Sequence, residues 1–118
     1  MLFTLSPHPQ HRGRAVSSVT ASVVRESADR LNLRFCVIGA MRDVVWPAPM
    51  SPGRSDDLWK HSCFEAFIRI GEGAGYREIN LSPSHRWATY AFDRYRAGMR
   101  EAEAVSYTHL TLPTILRV

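Results

Sequence analysis

The chain has 118 residues and a formal net charge of +4, the size of one small domain. Its fourteen arginines and single lysine, Lys60, are scattered from Arg12 to Arg117 without a run that would make an electrostatic stripe. Nucleic-acid binding wants such a stripe with interleaved aromatics and a membrane span needs ~20 consecutive apolar residues, so neither a nucleic acid nor a membrane is an expected partner.

Leu2 to Leu5 is short and apolar and is stopped by Ser6-Pro7-His8-Pro9, where two prolines force an extended loop. The N-terminus lacks the basic start and apolar core of a signal peptide, so the expected location is cytoplasmic, with Cys36 and Cys63 as reduced thiols. Neither cysteine belongs to a CxxC pair or a Cys/His ligand spacing, so the usual zinc signatures are absent and no metal site is expected. From Val16 to Arg25 the pattern alternates, with Val19, Ala21 and Val23 against Thr20 and Ser22. A tight turn at Ser27-Ala28-Asp29-Arg30 leads into Leu31, Leu33, Phe35 and Val37 at period two, and the two runs read as a β-hairpin. Met41 to Asp57 reads as irregular, because Pro47, Pro49, Pro52 and Gly53 exclude a long helix or a central strand. Trp46 and Met50 are expected to pack its underside.

His61 to Ile70 reads as a strand with Phe64, Ala66, Ile68 and Ile70 on one face and His61, Cys63, Glu65, Phe67 and Arg69 on the other. Gly71-Glu72-Gly73-Ala74-Gly75 is a hairpin loop, and Tyr76 to Ser82 is the return strand. In that strand Tyr76, Glu78, Asn80 and Ser82 oppose Ile79 and Leu81. Pro83-Ser84-His85-Arg86 turns again and Trp87 to Phe92 makes a further strand. Arg94 to Glu103 has the composition to begin a helix, weakened by Gly98. Short strands joined by turns, with no βα alternation, give an all-β class and an antiparallel β-sandwich.

The ending stands apart. Val105 to Thr114 reads as the translation of GTC TCT TAT ACA CAT CTG ACG CTG CCG ACG, which resembles a transposase mosaic end with its sequencing adapter. A variable index would supply Ile115, Leu116 and Arg117, and the resumed adapter, GTG TAG, would supply Val118 and a stop. The expectation is therefore a partial domain over residues 1–104, with C-terminal strands missing, and a tail over residues 105–118 whose deletion changes little.

Three blocks carry a resemblance to a known family. They are Leu58-Trp59-Lys60-His61-Ser62-Cys63-Phe64-Glu65-Ala66-Phe67-Ile68, then Tyr76-Arg77-Glu78-Ile79-Asn80-Leu81-Ser82-Pro83-Ser84, then Trp87-Ala88-Thr89-Tyr90-Ala91-Phe92-Asp93-Arg94-Tyr95-Arg96-Ala97-Gly98-Met99. In order and spacing the chain resembles the bacterial DOMON-like domain proteins, relatives of family 9 carbohydrate-binding modules and of haem- or sugar-binding DOMON domains. The resemblance implies an antiparallel β-sandwich, commonly ligand-binding and non-catalytic, and members longer than this chain. It also raises haem and calcium as cofactors, although no spacing singles out two ligands among His61, His85, Met41, Met50 and Met99, and Asp56-Asp57 is the one acidic candidate.

If the strands either side of the glycine loop pair, His61, Glu65, Tyr76, Glu78 and Asn80 share one face of a sheet, with Cys63 beside them. Two carboxylates, an amide and an imidazole suit a carbohydrate or similar small polar ligand, and Trp59 and Trp87 at the strand ends would offer flat rings to a sugar; family 9 modules use paired tryptophans in that way. Three other readings stand beside this one. The tryptophans pack as rim or core. The carboxylates pair with Arg69 or Arg77 in a structural ion network, making the chain a structural or protein-interaction module. Or they form a catalytic pair, which needs a cleft and perturbed pKa values. The expectation favours a binding module that is not an enzyme.

Overall fold

The computed structural model describes residues 1–11, 13–69 and 71–101, so the tail from Val105 to Val118 and its expected independence of the fold lie outside the described residues. The protein is mostly β, built from antiparallel sheets. The described residues fall into two compact units, residues 1–45 and 46–101.

The first unit is a three-stranded antiparallel sheet in the order β1-β2-β3, with β1 at Leu2–Leu5, β2 at Val16–Ser27 and β3 at Arg30–Gly39. The alternation that marks the hairpin sets its register: Val19 lies opposite Val37, Ala21 opposite Phe35 and Val23 opposite Leu33. β1 extends the same apolar row through Phe3 opposite Ala21 and Leu5 opposite Val19. Residues directly opposite across an antiparallel pair point to the same face, so this row is the unit's apolar side, with Ala21 buried at its centre. The two-residue turn at Ala28-Asp29 is fastened by Arg25, whose guanidinium donates to the carbonyls of Ser27 and Ala28 at 3.1 and 3.0 Å. Gly39 ends β3 at φ 155°, where a Cβ would collide with the carbonyl of Ala15.

The second unit begins in the irregular stretch. Met50 remains 51% exposed, against the expectation that it packs beneath its loop. The loop also supplies a strand that the sequence conceals. β4, Gly53–Arg54, pairs in parallel with β7, Arg86–Phe92, so the sheet is not purely antiparallel. Its glycine and neighbouring proline are tolerated because it lies at the sheet's edge. The order is β4-β7-β6-β5, with β5 at Phe64–Arg69, β6 at Tyr76–Leu81 and the two-residue β8, Arg100–Glu101, pairing with β7. β8 stands where a helix was expected over Arg94–Glu103. Positive φ at Arg96 and Gly98 breaks helical continuation, and a tight turn forms in which the Asp93 N–H donates to the Ala97 carbonyl and the Ala97 N–H to the Arg94 carbonyl.

Ala88, Tyr90 and Phe92 form the buried cluster of this unit, with Leu58 and Tyr76 packed against it and the Tyr76 and Phe92 rings stacked at 4.8 Å. On the opposite face Leu81 is buried, while Phe64, Ala66, Ile68 and Ile79 are half-buried. Among the described residues no helix is long and apolar enough to cross a membrane.

Candidate functional site

The register of β5, β6 and β7 decides which expected site residues meet. Glu65 lies opposite Asn80, which lies opposite Ala88; Phe67 lies opposite Glu78, which lies opposite Tyr90; Arg69 lies opposite Tyr76, which lies opposite Phe92. Glu65, Tyr76, Glu78 and Asn80 therefore share one face, the face that carries the aromatic cluster. The glycine loop permits this pairing, with Gly71 turning at φ 64°.

Trp87 does not join them. It lies opposite Leu81, one step from the Asn80–Ala88 pair, and successive residues of a strand point to opposite faces. The sequence places Trp87 only at a strand end, and it stands near the start of β7, on the other face from Glu65 and Glu78. His61 also leaves the strand: β5 starts at Phe64, and the preceding residues form a 3-10 turn at Leu58–Lys60 that His61 caps, its backbone N–H donating to the Leu58 carbonyl at 3.2 Å. Period-two parity therefore does not place His61 beside Glu65. Trp59, in the same turn, is 61% exposed with the Lys60 ammonium 5.6 Å from its ring centroid. Its neighbour Leu58 packs on the cluster formed by Ala88, Tyr90 and Phe92, so the turn sits at the face that carries Glu78 and Asn80.

Two groups near that face have their charged form disfavoured. Burial, and then the nearby Glu78 carboxylate, push the Glu65 carboxyl above its usual value. Burial, and then the Glu65 carboxylate, raise the Cys63 thiol to about 11, so it is protonated and no nucleophile at neutral pH. Asn80 is 1% exposed, and its Oδ1 has no hydrogen-bond partner among the described residues. A buried acceptor left unpaired costs about 1–3 kcal/mol. Neither glutamate makes an ion pair there, so the expected structural network with Arg69 or Arg77 is not formed by the described residues.

No family model, no curated protein and no solved structure matches this chain. The site therefore rests on its own geometry.

Sequence reasoning missed a second group beside it. The Tyr90 hydroxyl donates to Asp56 at 2.6 Å, Arg54 donates to the same oxygen at 3.0 Å and reaches Glu101 at 3.2 Å, and its guanidinium lies 5.6 Å from the Tyr90 ring centroid. The Tyr90 hydroxyl and then Arg54 hold Asp56 below the usual carboxylate range. Burial and the bond to Asp56 raise Tyr90 to about 12. With Asp56 so committed and Asp57 paired to Lys60 at 3.5 Å, the acidic dipeptide considered for calcium is engaged in the fold. No cluster of three or more potential metal ligands exists among the described residues. An open groove lined by Gly13, Arg14, Ala15, Val16 and Asp43 contains none of the expected site residues.

Proposed function

We propose that the protein is a DOMON-like β-sandwich that binds a carbohydrate or similar small polar ligand without catalysis, on the face carrying Glu65, Tyr76, Glu78 and Asn80. The observation that carries this reading is the buried, unpartnered Oδ1 of Asn80, aligned in register with Glu65. Two carboxylates and an amide oxygen form a set dominated by acceptors, which calls for a partner rich in donors; a polyol supplies them. The raised carboxyl of Glu65 is a perturbation of the kind that marks functional sites. The exposed rings of Trp59 and Phe67 border this face and offer flat apolar surfaces to a sugar.

The test is a glycan and polyol screen on the full chain, followed by calorimetry with variants. Glu78→Gln and Trp59→Ala should each weaken binding tenfold or more while leaving the melting transition in place. If no glycan or polyol binds at millimolar concentration, and the variants alter only stability, the face belongs to a structural module. Turnover of a glycoside that is abolished by Glu65→Gln would mark an enzyme instead.

A further inference from the structure

β5 is the outermost strand of the second unit's sheet, and nothing among the described residues pairs with its free edge. An unpaired edge is a template for another strand, and natural edges are usually blunted by charge, bulges or cover. β5 carries Glu65, Phe67 and Arg69 outward on one face, and Phe67 is 60% exposed. Neither Glu65 nor Arg69 makes an ion pair among the described residues.

The order of these three side chains is self-complementary. We propose that β5 is a homodimerisation edge: a second copy of this chain pairs its own β5 antiparallel about Phe67, joining two five-stranded sheets into one continuous sheet. In that register Phe67 lies opposite Phe67 of the second copy, Glu65 lies opposite Arg69, and Arg69 opposite Glu65. Both charge pairs and the aromatic pair fall on one face, and cross-strand pairs of these types stabilise a sheet. A parallel arrangement places Glu65 against Glu65 and Arg69 against Arg69, and a slip by one residue in either strand loses the charge pairs and sets side chains of opposite faces together. Of the first unit's two edges, β3 has Arg30 and Arg34 and no acid, so two such strands repel, and the four-residue β1 has no charged side chain to set a register. Pairing would also set a guanidinium beside Glu65, a carboxyl that burial and Glu78 leave unfavourably placed. The inference shares Glu65 and Phe67 with the proposed ligand face, but its readout is the oligomeric state without any ligand, so it fails or stands separately from that reading.

Sedimentation of the full chain over a concentration series should show a monomer–dimer equilibrium. Arg69→Glu should weaken it at least tenfold by opposing like charges, and the double variant Glu65→Arg/Arg69→Glu should restore it. Register is read by cysteine crosslinking in a Cys36→Ser background. Opposed residues have Cα atoms ~4.5–5.5 Å apart, within disulfide reach, so Phe67→Cys should crosslink under mild oxidation. Arg69→Cys should not, since four residues separate it from its own copy by roughly 13 Å. A wild type that stays monomeric at high concentration overturns the proposal. So does a dimer unmoved by Arg69→Glu, or equal crosslinking at residues 67 and 69. Far-UV circular dichroism of each variant separates lost pairing from lost folding.

Discussion

Glu65 and Cys63 stand where the fold disfavours the charged form, and each has a measurable consequence. Burial and Glu78 raise the Glu65 pKa above the unfolded value. The folded chain then holds that proton more tightly than the unfolded chain, so this residue's contribution is at its best below the unfolded pKa and is lost as pH rises through the folded one. Glu65→Gln, in dilute protein, should therefore raise the melting temperature slightly at about pH 7 and leave it unchanged at about pH 3.5, below the carboxyl's normal range. An unchanged or lowered midpoint at neutral pH would show that an unseen donor already satisfies this carboxylate. For Cys63, a pKa of about 11 leaves roughly one thiolate in a thousand at about pH 8. Cys36 is exposed. Alkylation followed by mass spectrometry should modify Cys36 first and leave Cys63 largely untouched until denaturant is added. Equal rates would mean that the entry to β5 opens readily.

At the scale of elements, the Arg54–Asp56–Tyr90–Glu101 group stitches β4 and β8 to β7. Tyr90 has its pKa raised to about 12, so its contribution is intact below the usual phenol value of ~10 and lost as pH climbs through the folded one. Asp56 is shifted the other way: its contribution is present above the usual carboxylate range and lost on acidification. Tyr90→Phe should lower the melting temperature at neutral pH and flatten its decline at both extremes, which a pH series of thermal melts reads directly. A variant with the wild-type pH profile would remove Tyr90 from the stitch. None of this was legible in the sequence, because Gly53 and Arg54 are too short a strand to carry a period and Asp56 lies in an aperiodic loop. The hairpin β2–β3 and the β5–β6 pair were legible, since alternation fixes faces and short turns fix register. Glu65, Tyr76, Glu78 and Asn80 accordingly share the face that alternation assigns to them. His61 was misplaced because alternation at Cys63 and His61 continues the β5 pattern by accident into a 3-10 turn. The face of Trp87 was not legible because it depends on the turn after β6, where the Ser82 N–H donates to the Arg86 carbonyl at 2.9 Å. A buried bond between the Ser82 and Ser84 hydroxyls at 2.7 Å braces that turn and His85 adopts φ 75° within it, a geometry that no periodicity announces.

Across the whole molecule, burial is uneven. Of the buried apolar residues, Ala21 alone lies in the first unit, whereas Leu81, Ala88, Tyr90 and Phe92 lie in the second. Every residue of β1 is exposed, and it is a four-residue edge strand. β6 is flanked by strands on both sides, and β7 by β6 on one side and the short β4 and β8 on the other. Local opening costs little where few apolar contacts are lost and approaches the global free energy where the core must be exposed. Native-state hydrogen exchange should therefore rank the amides of β6 and β7 as the slowest, those of the β2–β3 hairpin as intermediate and those of β1 as the fastest, with at least a hundredfold between the extremes. The long hairpin ranks in the middle because its backbone bonds are many while its apolar row has one buried residue at its centre. If β1 exchanged as slowly as β7, the first unit would be sharing the second unit's cooperative transition, and its stability would have to come from cover that the row of Phe3, Leu5, Val19 and Phe35 does not supply by itself.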